Sequence, residues 1–176
     1  MKTRHGYVSN SSSSSFVMVQ EKAVKAMHAR KEPLDLSYLA EMFKSEIERK
    51  DELNEGKWIG LFDDGVKEFG WDVKNYYDEQ TKWNWMVLQA YYGGREWTQF
   101  STDEYRKKLE DYLEHLVGRE IRIDWDGIAK LESDCDAYID HQSIDSEETF
   151  DTVDRIGISE FLLSQDAFVH TDNDNH

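Results

Sequence analysis

The chain has 176 residues, a length typical of one domain, and we expect a single globular domain over residues 1–176. Hydrophobic residues make up 39% of the sequence and aromatic residues 13%, which is enough for a packed core and excludes a disordered chain. The formal net charge is −16, which argues against a generic binder of nucleic-acid backbones, because such binders neutralise phosphates with Lys and Arg.

Targeting signals are absent from the sequence as it stands. Its apolar stretches fall well short of the ~18 residues of a membrane-spanning helix, and residues 1–8 lack the apolar centre of a signal peptide. Cys135 is the only cysteine, so an internal disulfide cannot form. These features predict a cytoplasmic protein that does not contact a membrane.

The first elements along the chain are a strand and two helices. Residues 15–20 form a short apolar run typical of a buried strand. A helical pattern begins at Glu21 and ends before Pro33, the only proline. A second helix fits residues 36–53, where apolar residues recur at helical spacing at Leu39, Phe43 and Ile47.

The middle of the chain is dense in aromatic residues. Residues 57–65 predict a strand that enters a turn, and residues 78–94 predict a helix that ends at two glycines. Residues 58–100 hold 12 of the 23 aromatic residues. Trp83 with Trp85, or Tyr91 with Tyr92, could stack on a base or sugar, but aromatic density of this kind is more typical of a core.

The remaining elements predict the fold class. Residues 101–118 form the clearest helix, and alternating residues 119–126 predict a half-buried strand. Residues 136–142 and 166–170 read as strands, and residues 158–165 read as a short helix. Because helices and strands alternate without a βαβ rhythm, we expect an α+β fold with a mainly antiparallel sheet and about four helices.

A serine-rich segment near the start of the chain is the first candidate site. Backbone N–H groups and hydroxyls of such a run can surround an anion, with Arg4 adding positive charge. The alternative is a solvated loop without a ligand. The candidate ligand-binding residues are Arg4, Ser9, Asn10, Ser11, Ser12 and Ser13.

An Asp- and His-rich segment is the second candidate site. His170, Asp172, Asp174 and His176 alternate, so an extended strand would place them on one face. Two imidazoles and two carboxylates suit a divalent metal such as zinc, manganese or iron, whereas an ordinary polar tail is the alternative. Earlier in the chain, Asp140 and His141 are compatible with acid–base chemistry, as is His170, although a surface Asp-His pair is common.

Residues 4–16 resemble a signature found at the start of uncharacterised phage and bacterial proteins, in which Gly, an aromatic residue, Val-Ser-Asn, serines and Phe follow a basic residue. Residues 138–143 and 171–175 resemble segments near the end of some of these proteins. Those proteins have Gly where this chain has Asp172, which argues against a metal site that depends on Asp172 and favours Asn173, Asp174 and Asn175 as the functional residues of this segment. The resemblance implies a phage or prophage origin but no mechanism, and it implies that the two ends meet in space.

Together these features predict a phage-type accessory protein with a polar pocket formed by its two ends. The pocket would bind a phosphoryl-bearing or nucleotide ligand, with Asn173 as a further contact and His170 and Asp174 as ligands of a divalent metal. Whether such a protein is an enzyme stays open.

The alternative is an acidic interaction protein that binds a basic host or phage protein and inhibits a nucleic-acid or defence enzyme in the host cytoplasm. Residues 126–176 favour it, with 14 Asp and Glu against two Lys and Arg. A third possibility is a virion or assembly component.

Overall fold

The computed structural model describes residues 14–51, 58–70, 73–93, 102–140 and 143–172. In chain order these residues form the following elements: β1 (Ser14–Val19), α1 (Glu21–Ala29), α2 (Ser37–Asp51), β2 (Glu68–Phe69), β3 (Lys74–Tyr76), α3 (Glu79–Tyr92), α4 (Thr102–Val117), α5 (Trp125–Ser133), β4 (Tyr138–Ile139), α6 (Ser146–Asp154), α7 (Ile158–Leu163) and β5 (Ala167–Asp172). The α+β class is confirmed, with seven helices in the described ranges where the sequence predicted about four. Within the same ranges, no helix is both long and apolar enough to cross a membrane.

Two small sheets lie among the helices. The larger has the strand order β1-β5-β3 and is antiparallel, so β5 is its central strand. The smaller joins β2 and β4 in parallel. The strands predicted at residues 15–20, 136–142 and 166–170 are present as β1, β4 and β5.

An aromatic cluster forms the middle of the hydrophobic core. The ring centroid of Phe43 on α2 lies 4.7 Å from that of Trp83 on α3 and 5.9 Å from that of Trp58. Trp58 and Trp83 stack at 6.1 Å, and neither is more than 1% exposed. Trp85 is fully buried as well, so the core interpretation is confirmed for Trp58, Trp83 and Trp85, whereas Trp71 and Trp97 lie outside the described residues.

Helix α3 is buried on nearly all sides, and its polar side chains bond to backbone groups of other segments. Asn84 accepts a hydrogen bond from the amide of Phe62 at 2.8 Å and donates to the carbonyls of Phe62 at 2.9 Å and Val66 at 3.1 Å. Trp83 Nε1 donates to the carbonyl of Gly60 at 2.8 Å. Because buried polar groups are costly unless they are bonded, these contacts fix the loop at residues 60–66 against the helix.

Lys82 is the most unusual group in α3, since it is a fully buried ammonium. Its Nζ donates to the carbonyls of Phe161 and Leu162, each at 3.0 Å, and of Ser164 at 2.8 Å. These carbonyls belong to the end of α7, where helix carbonyls have no partner within the helix. Burial lowers the pKa of Lys82 to about 8, against the opposing effect of carboxylates on α3.

Two helices were missed by the sequence patterns, and the strands predicted at residues 57–65 and 119–126 are nearly absent from the described residues. Residues 119–126 form a single isolated bridge, between Ile123 and Trp58, and α5 begins at Trp125. Asp124 caps α5 by accepting a hydrogen bond from the amide of Gly127, and Asp145 caps α6 in the same way. The alternation of Ile121, Ile123 and Trp125 thus reflects an extended approach to a helix and not a paired strand.

Replacement of Lys82 tests its structural role. We expect Lys82→Met to lower the free energy of unfolding by roughly 2–4 kcal/mol, because three buried carbonyls lose a charged donor. Lys107→Met is the matched control, since Lys107 is exposed and, among the described residues, forms an ion pair with Asp111 on the same helix alone; it should change stability by less than about 0.5 kcal/mol. Urea unfolding of both variants gives the comparison, and equal effects would contradict the assignment.

Candidate functional site

The structure describes two of the residues predicted to form the site. Asp140 follows β4, and His170 lies in β5, so the two belong to different sheets. The other predicted residues lie outside the described ranges: Arg4, Ser9, Asn10, Ser11, Ser12, Ser13, His141, Asn173 and Asp174.

Strand pairing brings the end of the serine run beside the Asp- and His-rich segment. In the antiparallel pair of β1 and β5, Ser14 is opposite Asp172 and Ser15 is opposite Thr171. Paired strands lie about 5 Å apart. The backbone that enters β1 from the serine run and the backbone that leaves β5 therefore meet at one end of the sheet.

The two faces of β5 differ in chemistry. Ala167, Val169 and Thr171 are fully buried on the face that packs on the helices. The opposite face carries Phe168, His170 and Asp172, because side chains alternate along a strand. Directly opposed residues share a face, so Phe16 on β1 and Asn75 on β3 flank His170 on this outer face.

His170 is held between an aromatic ring and an amide. Its ring centroid lies 5.1 Å from that of Phe16, and its Nδ1 lies 2.6 Å from Oδ1 of Asn75. An amide oxygen only accepts hydrogen bonds, so Nδ1 carries the proton and donates it. The neutral ring then has its lone pair on Nε2, which is the nitrogen that could accept a proton or ligate a metal.

Phe168 extends this outer face away from His170. Its ring centroid lies 4.9 Å from that of Tyr77, and Tyr77 is 36% exposed. The sequence did not single out Tyr77 or Asn75 for the site. The outer face of the larger sheet thus combines aromatic rings with an oriented imidazole, next to the end where Ser14 and Asp172 pair.

Asp140 has a structural environment of its own. Its amide donates to the carbonyl of Phe69 at 2.9 Å, and its carbonyl accepts from the amide of Ser143 at 2.7 Å. Gly70 lies against it, since a Cβ on Gly70 would fall 2.5 Å from the Cβ of Asp140. Gly70 also has a φ of +129°, a conformation that favours glycine.

A metal cluster is not found among the described residues: no group of three or more His, Cys, Asp or Glu there is placed to hold a metal ion. Asp174, one of the two predicted metal ligands, lies outside the described ranges. The predicted metal site therefore stays a prediction.

A depression of about 450 Å³ beside α6 is a feature that the sequence patterns did not reveal. Asp145, Glu147, Glu148 and Asp151 contribute four carboxylates to its lining, with Arg155 at one side. Oε1 of Glu148 is buried and has no hydrogen-bond partner within the described residues. Burial, together with the charge of Asp145, raises the pKa of Glu148 to about 7.

The pKa of Tyr105 on α4 is raised in part by carboxylates of the same acidic depression. Its ring stacks on that of Phe150 at 4.3 Å, and burial, followed by the charges of Glu147 and Asp151, raises its pKa to about 12. The capping pattern Asp145-Ser-Glu-Glu was the one sequence signal that could have located this acidic region, since it begins a helix with carboxylates.

Comparisons of the chain with protein-family models, curated proteins and solved structures give no match. Any function must therefore be argued from the residues of the site and not from the fold.

The close approach of Gly70 to Asp140 gives a test of how tightly the start of the 140–143 segment is held. We expect Gly70→Ala to lower the free energy of unfolding by roughly 2–4 kcal/mol, from steric overlap and backbone strain. Gly118→Ala is the control: Gly118 also has a positive φ, +80°, but nothing lies within 4 Å of the added methyl group. Gly118→Ala should lower the free energy of unfolding by only about 1 kcal/mol. If chemical denaturation gives the two variants equal stability, the contact with Asp140 is not tight.

Glu148 gives a prediction on pH. Its pKa is raised from 4.5 to about 7, so the native state binds the proton more tightly and loses stability as the pH rises through 7. We expect Glu148→Gln to be more stable than the wild type by about 1 kcal/mol at pH 8, a value that allows for solvent screening. The gain should vanish at pH 4.5; Glu41→Gln, which removes the same charge from an exposed position on α2, is the control. Thermal unfolding at both pH values measures the difference in stability between Glu148→Gln and the wild type. A difference that does not depend on pH would contradict the pKa assignment.

Proposed function

We propose that this protein binds a small phosphoryl-bearing ligand, such as a nucleotide, at the end of the larger sheet. The observation that carries the proposal is the register that sets Ser14 opposite Asp172. It sets Ser14, the residue that follows the serine-rich segment at residues 9–13 in sequence, opposite Asp172, the residue that precedes Asn173 and Asp174. We infer that the donor-rich segment and the acceptor-rich segment adjoin one site.

The serine-rich segment supplies the groups that an anionic ligand needs. Ser11, Ser12 and Ser13 offer backbone N–H groups and hydroxyls as donors, and Arg4 offers a guanidinium for a phosphate. In a protein of net charge −16, neutral donors of this kind bind a phosphate without a large field of positive charge.

The outer face of the sheet supports a nucleotide over a bare phosphate. The ring of Phe16 on β1 lies against the imidazole of His170, and Tyr77, which is 36% exposed, packs on the ring of Phe168, which is itself only 6% exposed. Aromatic side chains of this kind stack on nucleobases with about 1–3 kcal/mol per base. A base on this face would lie next to the end of the sheet where the phosphates bind.

His170 is the candidate for acid–base chemistry or metal ligation. Its Nδ1–H is fixed by Asn75, which is the arrangement that orients a general base or a metal-bound imidazole. Asp174 would join it as a second metal ligand, and Asn173 as a ligand contact. Asp140 and His141 remain further acid–base candidates from the sequence, and a phage or prophage origin accords with the resemblance of residues 4–16.

The proposal is tested by calorimetric titration of the wild type with inorganic phosphate, AMP and ATP, with and without Mn²⁺ or Zn²⁺. We expect the nucleotides to bind more tightly than phosphate. The triple change Ser11→Ala, Ser12→Ala and Ser13→Ala should weaken nucleotide binding about tenfold or more, because charged-group hydrogen bonds contribute ~1.5–3 kcal/mol. His170→Gln should weaken it as well.

Matched controls separate binding from folding. Ser45→Ala on α2 and His115→Gln on α4 change exposed residues of the same types and should leave the affinity unchanged. The melting temperature of each variant without ligand reports any loss of fold. The proposal fails if none of the three ligands binds the wild type at millimolar concentration, with or without metal, or if the serine variant binds as well as the wild type.

A further inference from the structure

Among the described residues, strand β1 lies at an edge of the larger sheet. In the described part of the chain its strand partner is β5, on one side, and β5 itself is paired on both sides. An edge strand presents backbone N–H and C=O groups that can pair with an added strand. The sequence of β1 ends with the apolar run Phe16-Val-Met-Val, which has strong strand propensity.

The inner face of the sheet is incompletely covered under β1. Val169 and Ala167 on β5 are fully buried, whereas their direct partners Val17 and Val19 on β1 are only half-buried. The two valines line a cleft of about 110 Å³ with Val24 on α1 and with residues at the end of α6. At about 30 Å³ for each water molecule, this volume equals three to four waters and suits one aliphatic side chain.

The cleft lies next to the acidic depression beside α6, because Thr152 and Arg155 line both. The depression adds the carboxylates of Glu147, Glu148 and Asp151. None of these three carboxylates takes part in an ion pair within the described residues. Burial and the charge of Asp145 disfavour the ionised form of Glu148 and raise its pKa to about 7. A cation bound in the depression would therefore reduce the repulsion between these carboxylates.

We propose that β1 accepts an extended basic peptide of a partner protein as an additional strand, with one aliphatic side chain in the Val17–Val19–Val24 cleft and a Lys or Arg in the acidic depression. Backbone pairing would supply affinity, and the two pockets would supply specificity, as in other cases of strand addition. Both proposals involve β1, but the two peptide pockets lie on its inner side, whereas the ligand site proposed above lies at the end of the sheet and on its outer face. This peptide-binding surface gives a defined location to the interaction-protein alternative that the charge distribution favours.

The net charge of the protein favours a basic peptide over a second copy of the chain as the strand that pairs with β1. A second copy of the chain would bring its own net charge of −16 to an acidic surface, so self-pairing is opposed by repulsion. A basic segment is attracted by the same field and gains in association rate as well as in affinity.

Fluorescence anisotropy with synthetic peptides tests the proposal on the full chain. The probe is an eight-residue peptide of alternating valine and arginine, labelled with fluorescein. One control peptide alternates valine and glutamate, and a second has the probe sequence with N-methylated backbone on every other residue. We expect the probe to bind, the glutamate peptide not to bind, and N-methylation to weaken binding at least ~10-fold, because it removes donors of the strand ladder.

Protein variants locate the surface. The double change Glu147→Gln and Asp151→Asn should weaken probe binding about tenfold, whereas Glu41→Gln with Glu48→Gln on α2 removes the same charge elsewhere and should weaken it less than twofold. The proposal is overturned if the N-methylated peptide binds as well as the probe, since binding would then be electrostatic alone, or if both double variants lose affinity equally.

Two other occupants of the edge would also overturn it. Analytical ultracentrifugation that shows a dimer, dissociated by the probe, would identify a second copy as the occupant. Probe binding that appears only after Lys2→Gln and Arg4→Gln would show that residues of the chain's own basic start occupy the edge. Absence of probe binding up to ~1 mM in both the wild type and this variant would reject the surface altogether.

Discussion

The buried polar side chains of α3 are the constraint on which the other elements depend. Lys82 holds the end of α7, and Asn84 holds the loop at residues 60–66. Gln89 donates to the carbonyl of Ser143 at 2.8 Å, and the Oγ of Ser146 donates to the carbonyl of Gln89 at 2.6 Å. Such groups must find partners inside the core, so each one allows a single position for the segment that it contacts. The chain then continues from α7 into β5 and from Ser143 into α6, which places both surfaces discussed above.

The longer helices α2, α3 and α4 could be predicted from the sequence, and so could the shorter α1 and α7, whereas α5 and α6 could not. The period of Leu39, Phe43 and Ile47 marks α2, because one face of that helix packs on the core. Helices α5 and α6 begin at capping aspartates, and α5 begins inside the alternating residues 119–126, which predicted a strand instead. Strands β2 and β3 have two and three residues, and tertiary contacts alone define them.

The candidate site could be predicted only in part, because its polar residues are distant in sequence. The alternation through His170 was visible, and it does place His170 and Asp172 on one face of β5. The partner of His170 was not visible, since Asn75 lies 95 positions earlier and follows no local pattern. The altered pKa of Glu148 could not be predicted either, because its largest cause is burial, which the sequence does not show, although the contributing carboxylate of Asp145 lies only three positions earlier.

Pairing between β1 and β5 also sets the order in which the molecule can form. Lys22 and Asp166, which pair just beyond the two strands, are 144 positions apart. Contacts across such separations form late, after the cost of closing the intervening loop has been met. During synthesis at roughly 5–20 residues per second, β1 therefore waits for many seconds without the strand that will bind it. An apolar segment in that state needs protection from neighbouring chains, and the polar serines that precede it are suited to keep the nascent chain in solution.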